Sequence, residues 1–473
     1  MKTYPVYLNG DFVCTEETIP VVNPATDEVT ALMSTVSRER VAEALKHAHA
    51  AFAIWRTVTS KSRGELLVRI AGEMERRRGE IARVMTLESG KPLSQSLGEV
   101  AMSVAHLHWF AEEARRAYGR VVPPMVDGKR HLVIKSPVGV VGAITPWNFP
   151  LMLAVRKVAA ALAAGCPVVL KPSELTPITA VAFAECVDAI KPPPGVFQLV
   201  MGQAAEIGRE FAENPHCRKI TFTGSTATGQ KLIGYSARTV KPLLLELGGQ
   251  APVLVFDDAD LYPAVDAVVL AKFRNTGQSC IAANRIFVQR GIYEKFLKTL
   301  VDRVVELKMG DGLEDNIEIG PLINRQAVER ATEHVQDAVQ GGAKVLCGGN
   351  AVSGPGYFFE ATVLAEVPRG SLCMMEETFA PIAPVCVFDK EAEVVQLANN
   401  SSHGLAAYVF THDLSRAFRL MDSIEAGIIS INDGLPTTSQ APFGGMKSSG
   451  WGRELGSEGL EAFLETKHVS IGL

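Results

Sequence analysis

Five short apolar runs between residues 138 and 249 decide the fold of this chain. They read VGVVGAIT (138–145), CPVVLK (166–171), GVFQLV (195–200), RKITFTG (218–224) and KPLLLELGG (241–249). Stretches long enough for helices separate the runs, and this alternation is typical of a parallel sheet covered by helices on both faces. We therefore predict an α/β chain with the βαβ architecture of nucleotide-binding domains.

Polar segments follow several of these runs: PWNFP (146–150), KPSE (171–174), TGSTATG (223–229) and ELGG (246–249). Ligands of parallel sheets bind beyond the carboxyl ends of the strands, so these segments are candidates for a binding site. The pair Gly224 and Gly229 lacks the full dinucleotide fingerprint, and an ordinary strand-to-helix turn fits it equally well. Its place before a predicted helix suits a helix N-terminus that faces a pyrophosphate.

A candidate nucleophile lies in KFRNTGQSCI, residues 272–281, where Cys280 follows small and polar residues. A thiol attacks as the thiolate, and we expect the N–H groups of this loop to lower its pKa. A lone cysteine is more often a small buried residue, so the remaining motifs have to decide.

The length and composition of the chain limit the number of its domains and the type of its partners. The chain has 473 residues, 47% of them hydrophobic and 21% charged, which indicates two or three domains of roughly 100–200 residues. Lys plus Arg number 47 and Asp plus Glu 52, and the net charge of −5 favours neither a nucleic-acid nor an acidic-membrane partner.

The eight cysteines lie far apart without a C-x-x-C pair, which argues against a metal site or a disulfide framework. The N-terminus has no apolar signal core, and Arg156, Lys157 and Pro167 interrupt the longest apolar run. We predict no membrane span and a cytoplasmic location.

Other segments show regular periodicity. Residues 62–87 have helical spacing, with Ser62 and Glu65 as a capping box. Residues 130–135 alternate like an exposed edge strand, and residues 466–473 alternate like a strand that pairs outside its own domain. Further helices are predicted at 37–56, 94–118, 292–309 and 324–340, and strands at 344–347 and 383–388.

Seven motifs occur together in one order: PWNFP, KPSE, FTGST, LELGG, FRNTGQSC, EETFAP and PFGGMKSSG. In order and spacing they resemble the aldehyde dehydrogenase superfamily over residues 4–473, and the succinate-semialdehyde dehydrogenase branch most. The resemblance implies a Rossmann-type parallel-sheet cofactor domain, an α/β catalytic domain and a small β oligomerisation element. The expected bounds are 1–118 with 138–246 for the cofactor domain, 247–435 for the catalytic domain, and 119–137 with 455–473 for the oligomerisation element.

The same resemblance implies the chemistry. Cys280 attacks an aldehyde, the Asn148 amide and the Cys280 N–H hold the oxyanion, and Glu246 activates the water that clears the thioester. Relatives that pass the acyl group to coenzyme A lack this acid, so hydrolysis to a free acid is expected. The expected cofactor-binding residues are Trp147, Lys171, Glu174, Gly224, Ser225, Gly229, Leu247, Glu377 and Phe379.

Glu174 sets the expected cofactor. A carboxylate there accepts ribose hydroxyls and repels a 2′-phosphate, which favours NAD, with NADP less favoured. No metal is expected, and the predicted partners are a small aldehyde and further copies of the chain, as a homodimer or homotetramer.

Arg156 and Arg274 match the two arginines that hold the distal carboxylate of a semialdehyde in this branch. The loop LPTTSQA departs from the branch pattern and leaves Thr437, Thr438 or Ser439 as the hydroxyl donor; we place Thr438 and Ser439 in the substrate site. Ala282 replaces the second cysteine that some members carry, so no disulfide switch is expected. Two alternatives stay open: a dehydrogenase of other semialdehydes or neutral aldehydes, and a catalytically silent binding or structural relative.

Overall fold

The computed structural model describes all 473 residues. The α-helices are α1 (Arg38–Trp55), α2 (Ser60–Arg76), α3 (Arg78–Ser89), α4 (Leu93–Glu113), α5 (Met152–Ala164), α6 (Ile178–Ala189), α7 (Ala204–Glu213), α8 (Thr226–Ser236), α9 (Leu261–Phe273), α10 (Arg290–Val304), α11 (Arg325–Gln340), α12 (Leu372–Met375), α13 (Glu391–Asn399), α14 (Leu414–Ser423) and α15 (Gly456–Glu461). None of these helices combines the length and the apolar character that crossing a membrane requires.

The strands are β1 (Lys2–Tyr4), β2 (Val6–Leu8), β3 (Asp11–Val13), β4 (Thr18–Asn23), β5 (Glu28–Ser34), β6 (Arg120–Val122), β7 (Lys129–Pro137), β8 (Val140–Ile144), β9 (Val168–Lys171), β10 (Phe197–Leu199), β11 (Cys217–Thr223), β12 (Leu243–Glu246), β13 (Pro252–Val255), β14 (Arg285–Gln289), β15 (Lys344–Cys347), β16 (Thr362–Ala365), β17 (Ile382–Phe388), β18 (His403–Gly404), β19 (Ala406–Phe410), β20 (Ile428–Ile431), β21 (Met446–Lys447), β22 (Gly450–Trp451) and β23 (Leu464–Gly472).

The largest sheet has the strand order β22-β12-β11-β8-β9-β10-β2-β3. Its five central strands, β12 to β10, are parallel and correspond to the five apolar runs, so the prediction of a parallel α/β sheet is confirmed. Apolar side chains on both faces are buried, with helices such as α1, α5 and α7 packed against the strands. The carboxyl ends of β8, β11 and β12 meet at one edge of this sheet.

The second large sheet has the order β15-β16-β17-β14-β13-β19-β20, and its central strands are also parallel. The segment with Cys280 connects α9 to β14, directly before the strand that pairs with both β13 and β17. The polypeptide leaves β12 at Glu246 and enters β13 at Pro252, so a short connection joins the two sheets.

The third sheet has the order β23-β7-β6 and corrects one prediction. Residues 130–135 were expected to form an edge strand, but β7 is the central strand. The C-terminal strand β23 pairs with it in antiparallel register from Leu464 opposite Pro137 to Gly472 opposite Lys129. The C-terminal strand therefore pairs with β7, within the predicted oligomerisation element. The backbone groups left unpaired in this sheet lie on the outer edges of β6 and β23.

The helix predicted over residues 62–87 is two helices, α2 and α3, which meet at Arg77. The capping box at Ser62 and Glu65 is wrong. Thr59 is the N-cap of α2, and its hydroxyl oxygen accepts the backbone N–H of Ser62 at 3.2 Å. The α2–α3 break lies next to Gly79, a residue of low helix propensity.

Candidate active site

A cleft of about 920 Å³ lies at the carboxyl ends of the first sheet. The predicted residues that line it are Trp147, Asn148, Gly224, Ser225, Leu247, Cys280, Glu377 and Phe379. Trp147 and Phe379 meet edge to face with ring centroids 5.5 Å apart. Residues from both large sheets thus share one cavity, and no group of three or more His, Cys, Asp or Glu side chains is arranged to hold a metal ion.

The turn before Cys280 has an uncommon backbone conformation. Asn275 and Thr276 have φ angles of 52° and 57°, and Gly277 has a φ of 75°. Left-handed backbone costs roughly 1–2 kcal/mol for a residue that carries a side chain. A Cβ at Gly277 would lie 2.2 Å from the carbonyl oxygen of Ala380, so the close approach requires glycine.

The thiol of Cys280 is protonated at neutral pH in the protein without cofactor. Burial raises the pKa of Cys280 to about 12; the Glu377 and Glu246 carboxylates act in the same direction, and the Arg156 guanidinium acts against them. The prediction that the loop lowers this pKa is wrong for this state, because desolvation and two carboxylates outweigh the loop N–H groups. Glu246 itself does not line the cleft, and its charge acts on the Cys280 sulfur from outside the lining.

The Asn148 side chain is buried and fixed against the cysteine loop. Its amide nitrogen donates one hydrogen bond to the carbonyl oxygen of Gln278 at 3.1 Å. A side-chain amide has two N–H donors, so the second stays free at the cleft that Cys280 also lines. This is the arrangement that an oxyanion donor requires.

The carboxyl group of Glu246 is isolated. Glu246 is 2% exposed, and neither of its side-chain oxygens has a hydrogen-bond partner. Burial raises the pKa of Glu246 well above the ordinary value, and Glu454 raises it further, against the opposing charges of Lys157 and Arg156. A carboxylate destabilised in this way is a stronger base than one in water.

A buried charge cluster stands beside Glu246. Lys157 donates to the hydroxyl of Thr221 at 3.1 Å and forms an ion pair with Glu454, which also receives Arg156 at 3.4 Å. The sequence analysis did not identify Lys157 or Glu454 as site residues. Two adjacent cations in an otherwise apolar helix are the signal that points to a buried carboxylate partner.

The two predicted substrate arginines differ in their surroundings. The Arg156 guanidinium lies 4.6 Å from the ring centroid of Phe443, and its Nε has no hydrogen-bond partner. Arg274 lies 5.1 Å from the ring centroid of Phe149 and makes neither an ion pair nor a hydrogen bond. Burial lowers the pKa of Arg274, and the Glu99 carboxylate opposes that shift. Arg274 is therefore the largely buried cation whose charge no direct contact satisfies.

The three loop hydroxyls are not equivalent. Ser439 is buried, and its Oγ lies 2.9 Å from Nδ1 of His106, a residue that the sequence analysis missed. The Thr438 hydroxyl donates to the side chain of Gln440. Thr437 makes no hydrogen bond, so it alone offers an uncommitted hydroxyl.

The residues predicted to contact the adenosine ribose lie at the same sheet edge but do not line the cleft itself. Lys171 ends β9 and donates to a carboxylate oxygen of Glu174 at 2.9 Å. Gly229 is also outside the lining: a Cβ there would lie 2.7 Å from Cδ2 of Leu247, so this glycine serves helix packing.

Ser225 and Glu377, two predicted cofactor-binding residues that line the cleft, each accept a backbone N–H. The Ser225 side chain caps α8 and accepts the N–H of Thr228 at 3.3 Å, at a helix start suited to a phosphate. Glu377 accepts the N–H of Gly249 at 3.0 Å, and burial raises the pKa of Glu377 to about 7.

Residues 12–469 match the aldehyde dehydrogenase family. The mitochondrial succinate-semialdehyde dehydrogenase of Arabidopsis thaliana is 46% identical over 96% of this chain and 86% of that protein. The glutarate-semialdehyde dehydrogenase of Pseudomonas aeruginosa is 45% identical over 98% of this chain and 97% of that protein. The crystal structure of an E. coli NADP-dependent enzyme superposes with a TM-score of 0.98 at 43% identity, covering 100% of this chain and 98% of that one.

The pKa of Cys280 gives a prediction for the substitution Glu377→Gln. Removing this carboxylate lowers the pKa of the thiol, so more thiolate is present near pH 8 and alkylation by iodoacetamide without cofactor should be severalfold faster. Alkylation is followed by mass spectrometry of the peptide that contains Cys280, with Cys280→Ala as the control for labelling of other cysteines. An unchanged or slower rate would contradict the electrostatic role given to Glu377.

Proposed function

Because the chain belongs to the aldehyde dehydrogenase family, we propose that it oxidises succinate semialdehyde to succinate with NAD. The observation that carries the choice of substrate is the guanidinium of Arg274, which has no ion pair and lies 5.1 Å from the ring centroid of Phe149, the residue after Asn148. A largely buried cation without a partner is costly, and an anionic group of the substrate would satisfy it.

In the first step the Cys280 sulfur bonds to the aldehyde carbon, and the carbonyl oxygen becomes an oxyanion. The free N–H of the Asn148 amide and the backbone N–H of Cys280 hold that oxyanion. Loss of one such donor typically reduces the rate about 10²–10³-fold. The Cys280 thiol first releases its proton to solvent water, and a cationic cofactor bound near the sulfur would favour this loss.

The cleft has the features that a dinucleotide needs. Gly224 and Ser225 present the start of α8 to a pyrophosphate, and Glu377 with Phe379 stands where the nicotinamide end would lie. A Cβ at Gly248 would lie 2.9 Å from the Glu377 carboxylate, so glycine leaves room in the cleft beside this side chain. The bound cofactor supplies acceptance of the hydride from the aldehyde carbon.

Glu246 then carries the hydrolysis of the thioester on Cys280. Its carboxylate takes a proton from a water molecule, the water oxygen bonds to the acyl carbon, and the sulfur leaves as thiolate. The isolation of Glu246 makes the carboxylate basic enough for this step near neutral pH. The product is a free carboxylic acid.

NAD is favoured over NADP by the charge at Glu174. The ion pair with Lys171 lowers the pKa of this carboxyl against the opposing effect of burial, so it is ionised at neutral pH. A carboxylate in this position accepts ribose hydroxyls and repels a 2′-phosphate. Lys171, which contacts Glu174, is a cation that would attract such a phosphate.

Glutarate semialdehyde is the second candidate substrate. The relative from Pseudomonas aeruginosa carries that name at nearly the same identity as the succinate-semialdehyde relative. The uncommitted hydroxyl of Thr437 lies in the loop that differs from the branch pattern, and this loop would decide the accepted chain length.

We further propose a homodimer or homotetramer assembled through the third sheet, which exposes Val121, Met125, Ile134 and Ile471 beside its open edges. The sheets support the proposed division into a cofactor domain, a catalytic domain and an oligomerisation element. The strands of each sheet come mainly from one of these three. The exceptions are two strands in residues 436–454, which the division leaves unassigned: β21 pairs with β18, and β22 pairs with β12.

Substitution of Arg274 by Ala tests the substrate proposal. The change should reduce kcat/KM for succinate semialdehyde by about 10–100-fold, because a charge-assisted contact is lost, and leave butanal oxidation within about threefold. NADH formation is measured with succinate semialdehyde, glutarate semialdehyde and butanal in both proteins. Two results would refute the carboxylate contact. One is a wild-type kcat/KM for butanal as high as that for the semialdehydes, and the other is an Arg274→Ala variant that still prefers the semialdehydes.

Substitution of Glu174 by Ser tests the cofactor proposal. Removal of the carboxylate should raise kcat/KM for NADP by about tenfold and lower it for NAD, since repulsion of the 2′-phosphate and acceptance of the ribose hydroxyls are both lost. The ratio of the two kcat/KM values is compared with that of the wild type. A wild-type ratio in favour of NADP would overturn the assignment.

A further inference from the structure

A second buried ion pair joins Lys91 and Glu99. Lys91 follows α3 and Glu99 lies in α4; both side chains are 1% exposed, and the Lys91 ammonium contacts the Glu99 carboxylate. Charges this deep are costly unless their remaining donors and acceptors are used. All contacts that satisfy this pair lead to one segment, PWNFP with the start of α5.

The Glu99 carboxylate fixes the backbone after Asn148. One of its oxygens accepts the N–H of Leu151 at 2.9 Å and the N–H of Met152 at 3.0 Å. These are N–H groups at the start of α5, which have no acceptor within the helix. The carboxylate therefore holds the N-terminus of the helix that begins directly behind the oxyanion residue.

The Lys91 ammonium fixes the backbone of Asn148 itself. It donates to the Asn148 carbonyl oxygen at 2.8 Å and lies 4.4 Å from the centroid of the neighbouring Phe149 ring. Asn275 of the cysteine loop donates to the same carbonyl oxygen at 2.9 Å. Lys91 and the cysteine loop thus share one acceptor, and this acceptor belongs to the oxyanion residue.

The geometry points to a positioning function: the Lys91–Glu99 pair sets the place of the Asn148 amide relative to the Cys280 sulfur, and it acts on catalysis only through Asn148. The inference rests on the oxyanion role that the proposed function gives to Asn148. Neither Lys91 nor Glu99 lines the cleft or touches the reacting atoms.

The chain offers a matched control in Glu88. It is another fully buried carboxylate at a helix start, where it accepts the N–H groups of Ile178 and Thr179 at 2.7 and 2.8 Å. The hydrogen bonds of Asn148 go to Lys91, Gln278 and Asn275, and none goes to that helix, α6. Glu88→Gln therefore reproduces the loss of a helix-capping charge without the connection to the oxyanion residue.

Two reactions of the complete chain separate oxyanion binding from thiol reactivity. Acylation of Cys280 by p-nitrophenyl acetate passes through an oxyanion, whereas alkylation by iodoacetamide does not. The variants are Lys91→Met with Glu99→Gln as a neutral pair, Asn148→Ala, all three changes together, and Glu88→Gln. The neutral pair avoids leaving one buried charge without its partner, and unfolding by urea checks that each variant is folded.

The neutral pair should acylate about 10–100-fold more slowly than the wild type, because a displacement of about 1 Å costs rates of this order. The alkylation rate of the neutral pair should stay within about twofold of the wild-type rate. In the Asn148→Ala background, the neutral pair should slow acylation by less than a further factor of about two. Glu88→Gln should leave both reactions unchanged. Each of these results supports the inference.

Other results overturn it in distinguishable ways. Acylation of the neutral pair at the wild-type rate, while Asn148→Ala is slow, refutes the positioning role and leaves the proposed function intact. A parallel loss of alkylation and acylation, or an additive loss on Asn148→Ala, also refutes it. If Asn148→Ala acylates normally, or if wild-type Cys280 is not acylated with NAD present, the proposed function fails and the inference with it.

Discussion

The cost of burying charge determines how this catalytic centre is built. Taking a carboxylate or an ammonium out of water costs several kcal/mol unless a partner compensates it. Around the cleft Lys157 and Glu454 compensate each other, and so do Lys91 and Glu99. Glu246 and Arg274 are exceptions: the two Glu246 oxygens have no hydrogen-bond partner, and Arg274 contacts only the ring of Phe149. The two ion pairs stabilise the structure, and the uncompensated carboxylate of Glu246 has a raised pKa and is the stronger base.

The same constraint accounts for the state of the nucleophile. Cys280 lies among carboxylates and protein atoms that raise the pKa of its thiol to about 12. Such a thiol is oxidised and alkylated slowly, since reactivity follows the thiolate. A cationic cofactor in the cleft would oppose this shift, so the Cys280 thiol would react faster when a hydride acceptor is bound.

Rigidity of the site comes from contacts between its two halves. The cysteine loop has Asn275 and Thr276 in left-handed conformations that cost energy, and polar contacts compensate them. Thr276 exchanges two hydrogen bonds with the backbone of Gly320, at 3.0 and 3.1 Å. Asn275 reaches across to the Asn148 carbonyl. Asn148 and the loop that carries Cys280 are thus fixed to each other across the junction of the two large sheets.

The sequence was sufficient for the parallel sheet and for the residues at its carboxyl edge. Strand runs are local in the chain, and the rule that ligands bind beyond strand ends leads directly to Asn148, Gly224 and Glu246. The buried ion pair of Lys157 and Glu454 was not predicted because its two residues are 297 positions apart in the chain. The pKa of Cys280 was given the wrong direction for a similar reason, since desolvation depends on the whole fold.

The β7 strand shows the same limit. Its alternation identified a strand, but its central place in the third sheet depends on the C-terminal strand β23, more than 300 residues away. The break between α2 and α3 was missed because apolar periodicity continues across Arg77.

The central claim is that a thioester on Cys280 is cleared by Glu246, and direct observation of that intermediate tests it. Glu246→Gln protein is mixed with NAD and succinate semialdehyde, quenched in acid and digested, and the peptides are weighed by mass spectrometry. The account predicts a succinyl group on Cys280 that accumulates in the variant and not in the wild type. Absence of this adduct, or its presence on another residue, would contradict the account.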